Sequence, residues 1–157
     1  MLNDALDADV AGNAAPDRNS LGYQINLLAR LLAQALKRRN GRDGILPGQF
    51  PVVLELMAYD GATQRELCDG VRIDQSTMAS TLKRMERDGL IERRPCVRDG
   101  RQSTVHLTPS GRELSETAIA NAREVNRVAL EALDPETQQV LREALAKMAA
   151  SLTRDLE

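Results

Sequence analysis

The sequence predicts a mainly α (α+β) fold, a helix-rich body that carries one β-hairpin. Three observations point to it. Apolar residues recur at spacings of three and four along most of the chain, the signature of helices with one buried face. Aromatic residues make up only 2% of the 157 residues, so aliphatic side chains must fill the core, which disfavours an all-β fold. The period changes once, over residues 90–108, where short alternating runs flank a turn-forming Arg-Asp-Gly-Arg sequence. The length suits a single domain and is marginal for two. A chain of this size buries roughly 70% of the surface that it exposes when unfolded.

Each element has a local cause. Residues 1–19 are small, polar and acidic (four Asp, one Arg) and read as a disordered tail. Ser20 caps a first helix whose stripe is Leu21, Ile25, Leu28, Leu32 and Leu36, widened by Leu27 and Leu31. Lys37, Arg38 and Arg39 suit its C-terminus, and Asn40–Gly44 is a turn cluster. Pro47 starts a second helix with Phe50, Val53, Leu54 and Met57 as its apolar face, and Phe50 and Tyr59 join the core. Thr63 and Glu66 form a capping box for a third helix. Asp74–Thr77 offers the cap of a fourth, with Met78, Leu82 and Met85 buried and Gly89 just past its end. Leu90-Ile91 and Ser103–Thr108 read as two short strands around the turn Arg98-Asp99-Gly100-Arg101. Pro109 opens a long helix to about Leu133, striped by Leu114, Ala118, Ala122, Val125, Ala129 and Leu133. Asp134 caps the last helix and Pro135 takes its first position. Its stripe is Leu141, Leu145, Met148 and Leu152.

Composition excludes several functional classes. No apolar run approaches the ~20 residues of a membrane helix. The N-terminus lacks the basic start and apolar middle of a secretory signal, so a cytoplasmic location is expected. Two distant cysteines, Cys68 and Cys96, and one histidine, His106, leave no zinc-ligand spacing. No nucleophile–His–acid set, Walker loop or dinucleotide fingerprint stands out, so neither an enzyme nor a cofactor is expected.

The net charge is −2, but its distribution is uneven. Residues 72–101 hold eight basic and five acidic groups, whereas residues 1–19 and 112–157 are each net −3. Two short helices, the second running into an arginine-rich hairpin, make a winged helix-turn-helix. Such a recognition helix presents its N-terminal residues to base edges. Here these are Gln75, Ser76, Thr77 and, one turn on, Ser80, opposite the buried stripe. Lys83, Arg84 and Arg87 are placed for phosphates, with Glu86 or Asp88 as the competing ion-pair partners of the first two. Arg93, Arg94, Arg98 and Arg101 belong to the wing, where arginine suits a narrow, strongly negative minor groove.

The run from Thr63-Gln-Arg-Glu-Leu67 through Ser76–Leu90, Ile91–Arg94 and Asp99-Gly-Arg101 to Leu107-Thr-Pro-Ser-Gly111 resembles the MarR family of transcriptional regulators. The resemblance implies that residues 47–108 form the winged helix-turn-helix and that residues 20–46 and 109–157 supply dimerisation helices. It implies a homodimer on a pseudo-palindromic double-stranded DNA operator, usually as a repressor, and release by a small aromatic or lipophilic effector. Asp99 and Arg101 match the family's Asp-x-Arg wing signature, in which Arg101 enters the minor groove and Asp99 orients the wing arginines. Gly100 and Ser80 depart from the residues common in relatives. A winged-helix protein-interaction module without DNA binding is the competing reading. Cys68 is expected to be a buried inert thiol and His106 a structural residue.

Overall fold

A computed structural model describes residues 17–96 and 102–156. The expected tail therefore lies, except for residues 17–19, outside the described residues, as does the wing turn from Arg98 to Arg101. Contacts divide the chain into two units that meet between Leu31 and Leu32.

In the first unit, Asp17 accepts the Ser20 amide through its carbonyl and the Asn19 amide through its carboxylate, forming a turn before helix α1, Leu21–Asn40. Leu21, Ile25 and Leu28 of the expected stripe, and Leu31 beside it, are exposed.

The second unit holds the core. After α1 come α2 (Phe50–Ala58), β1 (Ala62–Thr63), α3 (Gln64–Val71), α4 (Gln75–Arg87), β2 (Ile91–Pro95), β3 (Ser103–Leu107), α5 (Pro109–Leu130) and α6 (Pro135–Asp155). The hairpin gains a third strand, giving an antiparallel sheet in the order β1-β3-β2. Ala62 pairs with Val105 and Ile91 with Leu107. Val52, Val53, Leu56, Leu67, Met78, Leu82, Met85 and Val105 are fully buried against one another.

Five sequence expectations need correction. Pro47 sits in a turn, and α2 begins three residues later. Its buried face is Val52, Val53 and Leu56, while Leu54 is exposed and Phe50 and Met57 are half-buried. The helix is apolar on nearly every side, so periodicity alone does not choose a face. Tyr59 is exposed because it lies past the end of α2 in extended backbone. Leu90 precedes the first hairpin strand, which instead runs to Pro95, and α5 stops at Leu130.

Local capping matches the sequence closely. Asp134 accepts the Thr137 amide at the start of α6. At the end of α4, the Gly89 amide bonds to the Glu86 carbonyl and the Leu90 amide to the Met85 carbonyl, and Gly89 has φ +70°. This is a Schellman ending, which favours glycine because its φ is positive. No residue of α6 is buried, and Leu145 and Leu152 are exposed.

Candidate nucleic-acid interface

Two helix starts frame the site. At α3, the Thr63 hydroxyl accepts the Glu66 amide, while the Glu66 carboxylate accepts the Thr63 amide at 2.7 Å. Reciprocal capping of this kind satisfies two amides that would otherwise lack partners. α3 ends at Arg72, whose left-handed backbone (φ 60°) turns the chain sharply, and the Arg72 and Ile73 amides both bond to the Cys68 carbonyl. Asp74 then caps α4. Its carboxylate accepts the Thr77 amide at 2.9 Å and the Thr77 hydroxyl at 2.6 Å, together with the Ser76 hydroxyl. These hydroxyls, Ser76 first, hold the Asp74 carboxyl well below the usual carboxylate range.

α4 separates two chemistries. Met78, Thr81, Leu82 and Met85 are buried. Gln75, Ser76, Thr77, Ser80, Lys83, Arg84 and Arg87 are all exposed. Residues 76, 80, 83, 84 and 87 recur at helical spacing, so small polar groups lead into cationic ones along one outer face. Ser76 and Thr77 have a capping duty that their lone pairs leave compatible with an outside contact.

The expected pairing of Lys83 or Arg84 with Glu86 or Asp88 does not form. Asp88 binds its neighbour Arg87 at 2.8 Å, and Glu86 faces Arg93 of β2 at 3.6 Å. That second contact ties the wing to the recognition helix across chain segments. Among the described residues Arg84 reaches only the Thr81 hydroxyl, at 3.3 Å, and Lys83 makes no ion pair. Both cations are therefore open to a phosphate.

In the wing, Arg93 opposes Val105 and Arg94 opposes Thr104. Arg94 donates from Nε to Glu92 Oε1 at 2.8 Å, with both side chains exposed. Exposed pairs contribute at most about 1 kcal/mol, so a phosphate displaces such a carboxylate at little cost. The Cys96 amide bonds to the Gln102 carbonyl at 2.9 Å, continuing the pairing of the two wing strands beyond Pro95 and Ser103. Arg98, Asp99 and Arg101 lie between those two residues, outside the described residues.

His106 sits between Thr104 Oγ1 (2.9 Å from Nε2) and Asp60 Oδ2 (3.2 Å from Nδ1), while Asp60 Oδ1 accepts the Leu107 amide. This network fastens β3 to the turn after α2 and gives the histidine a structural role. Cys68 is buried, and burial first, then Asp69 and Asp74, pushes its thiol pKa up, away from the reactive thiolate. Cys96 is half-buried.

Sequence reasoning missed one polar contact at the site. Gln64, the first residue of α3, donates from Nε2 to Gln75 Oε1 at 3.1 Å. Both residues directly follow a capping residue, Thr63 or Asp74, and this was the only available signal.

A sequence profile described as MarR family matches residues 43–102. The chain is similar to the HTH-type transcriptional regulator BilQ of Clostridium symbiosum, with 31% identity over 107 residues that cover 68% of this chain and 74% of the relative. Among solved structures, a MarR transcriptional regulator from Methanosarcina mazei superposes with a TM-score of 0.77 at 26% identity, covering 85% of this chain and 96% of that one. The PcaV transcriptional regulator from Streptomyces coelicolor, solved with its natural ligand, gives 0.77 at 26% identity, covering 89% and 99%. These relatives are named as regulators, not as enzymes.

Proposed function

The chain belongs to the MarR family of DNA-binding transcriptional regulators, and from that premise we propose that it works as a homodimer that represses a pseudo-palindromic operator and releases it when a small aromatic or lipophilic molecule binds. The observation that carries the reading is α4. Its start is held by Asp74, its inner face is locked into the core by Met78, Leu82 and Met85, and its outer face is polar and then cationic. A helix held this firmly offers its N-terminal residues to a major groove without first having to be ordered.

The wing supports the same reading. Arg94 is exposed on β2, and the sequence that follows it carries Arg98 and Arg101, which in this proposal Asp99 orients. In this proposal Gln75, Ser76, Thr77 and Ser80 face bases, Lys83 and Arg84 face phosphates, and Arg101 enters the minor groove. No helix among the described residues is long and apolar enough to cross a membrane. A regulator of this kind belongs in the cytoplasm, which also suits its two free cysteines.

Dimerisation is supported by what the single chain leaves uncovered. α6 buries none of its residues, and Val140, Leu145 and Leu152 are exposed along it. Apolar helix faces of that extent call for a partner. A two-fold dimer places its recognition helices about 34 Å apart, one turn of DNA. An effector that binds better to a dimer with another spacing lowers operator affinity by that difference alone. PcaV, solved with its natural ligand, supports control by a bound ligand.

The test is a gel-shift titration against the DNA upstream of the protein's own gene, at two salt concentrations with non-specific competitor. A sharp, competitor-resistant shift that weakens with salt is expected. Absence of any salt-dependent DNA affinity would overturn the reading in favour of a protein-interaction module.

A further inference from the structure

We infer that Gln64 is a specificity-positioning residue, which holds the Gln75 amide so that Gln75 offers a base its Nε2 donor alone. The inference rests on the DNA-binding reading above. Gln64 Nε2 lies 3.1 Å from Gln75 Oε1 and 3.4 Å from the Gln75 backbone carbonyl oxygen. One amide nitrogen thus spans both oxygens of Gln75. The side-chain carbonyl of Gln75 is drawn back towards α3, and its Nε2, on the other branch of the planar amide, is left unengaged among the described residues.

Both ends of this contact are held in place. Gln64 follows Thr63, whose capping box fixes the start of α3. Gln75 follows Asp74, whose carboxylate gathers the Thr77 amide and two hydroxyls at the start of α4. Gln64 is half-buried and Gln75 is exposed. The buried-side residue therefore sets the orientation, and the exposed one makes the outside contact.

The chemistry follows from the donor and acceptor pattern of the major groove. A free glutamine reads adenine with two bonds, using Oε1 for N6 and Nε2 for N7. With Oε1 turned towards Gln64 on α3, Gln75 leads outward with its Nε2 hydrogens. Guanine N7 and O6 or thymine O4 accept them; adenine accepts one at N7 but sets its N6 donor against the other, and cytosine N4 offers no acceptor. The structure thus assigns to Gln75 a keto base, guanine or thymine, at one position of each half-site.

The test selects bound sequences from a pool of duplexes with randomised centres, using the full chain, and then measures affinities for the selected duplex and its single-base variants. The unchanged protein is expected to prefer guanine or thymine over adenine at one half-site position by about 3- to 10-fold, the scale of one net hydrogen bond. Gln75→Ala removes that preference. Gln64→Ala frees the Gln75 amide to turn and admits adenine at that position, while the rest of the selected sequence and the salt dependence stay as they were. Gln64→Glu replaces the donor with an acceptor, turns the Gln75 amide over, and shifts the preference towards adenine or cytosine. A purely structural role for Gln64 predicts no such inversion. A preference that both Gln64 variants leave untouched overturns the inference, as does adenine at that position in the unchanged protein, with the DNA-binding reading intact in either case. Failure of the unchanged protein to bind DNA in a salt-dependent way overturns both.

Discussion

Replacing Gly111 with alanine puts a methyl group into the joint between the wing and α5. Gly111 is the third residue of α5 and is buried. A Cβ there would lie 1.9 Å from the Leu90 carbonyl oxygen and 2.8 Å from its carbon. The obstacle is backbone, which cannot swing aside as a flexible side chain would, so α5 must move away from the start of the wing. Hydrogen bonds centred on Thr108 hold that joint. The Thr108 amide bonds to the Leu90 carbonyl at 3.0 Å, the Thr108 hydroxyl donates to the Gly89 carbonyl at 2.6 Å, and the Gly111 amide donates to the Thr108 hydroxyl at 2.9 Å. Overpacking costs about 1–3 kcal/mol. Weakening two of the bonds adds about 2 kcal/mol. Alanine's better helix propensity returns about 1 kcal/mol. Gly111→Ala is therefore expected to destabilise the protein by about 2–4 kcal/mol, which at ~2–4 °C per kcal/mol lowers Tm by roughly 4–16 °C. The assay is urea unfolding followed by circular dichroism at one fixed protomer concentration, because the proposed dimerisation would make stability concentration-dependent. Gly22→Ala is the control: it lies in α1 with no heavy atom within 4 Å of its would-be Cβ, and it should be neutral or slightly stabilising. If Gly111→Ala proved as stable as the unchanged protein, the close seat of α5 against Leu90 would be refuted.

Other expectations follow from the same structure. Arg101→Ala should weaken operator binding by about 1–3 kcal/mol without changing Tm, and an unaltered affinity would remove the wing turn from the interface. Leu152→Asp, alone or with Leu145→Asp, should shift the sedimentation profile towards monomer, and a variant still dimeric at nanomolar concentration would count against α6 as the interface. Asp74 has its pKa depressed in the folded state, so its charge contributes stability above the unfolded value of about 4, and that contribution is lost as the pH falls through the lower folded value. The stability difference between the unchanged protein and Asp74→Asn should accordingly be largest near neutral pH and shrink in acid. A difference that stays flat from neutral pH into strong acid would show that the charge has no part in the cap.

Much of the fold was legible because it is written in short-range signals. Thr63 with Glu66, Asp74 before α4, Gly89 after it and Asp134-Pro135 before α6 each act within three or four residues, and the structure places each where the sequence indicated. The outer face of α4 was legible for a related reason, since Met78, Leu82 and Met85 fix the inner face and helical geometry assigns the rest. β1 was not legible. Two residues carry no period, and Ala62 and Thr63 become a strand only because Val105 and Thr104, some forty residues later, offer backbone partners. The buried face of α2 was misjudged because nearly every position in it is apolar, so only its neighbours decide which side is covered.

The local chemistry of this chain thus settles where its helices begin and end, which face of α4 turns inward, and which residues line its polar face. Folding in three dimensions settles which charges and amides meet. Glu86 pairs with Arg93 and not with Lys83, and Gln64 reaches Gln75 and not a neighbour on its own helix. Side chains three or four apart on one helix are always near each other, but an ion pair or amide contact forms with whichever partner lies closest once the helices and the sheet have packed. That distance is a property of the packed core, and no spacing along the chain encodes it.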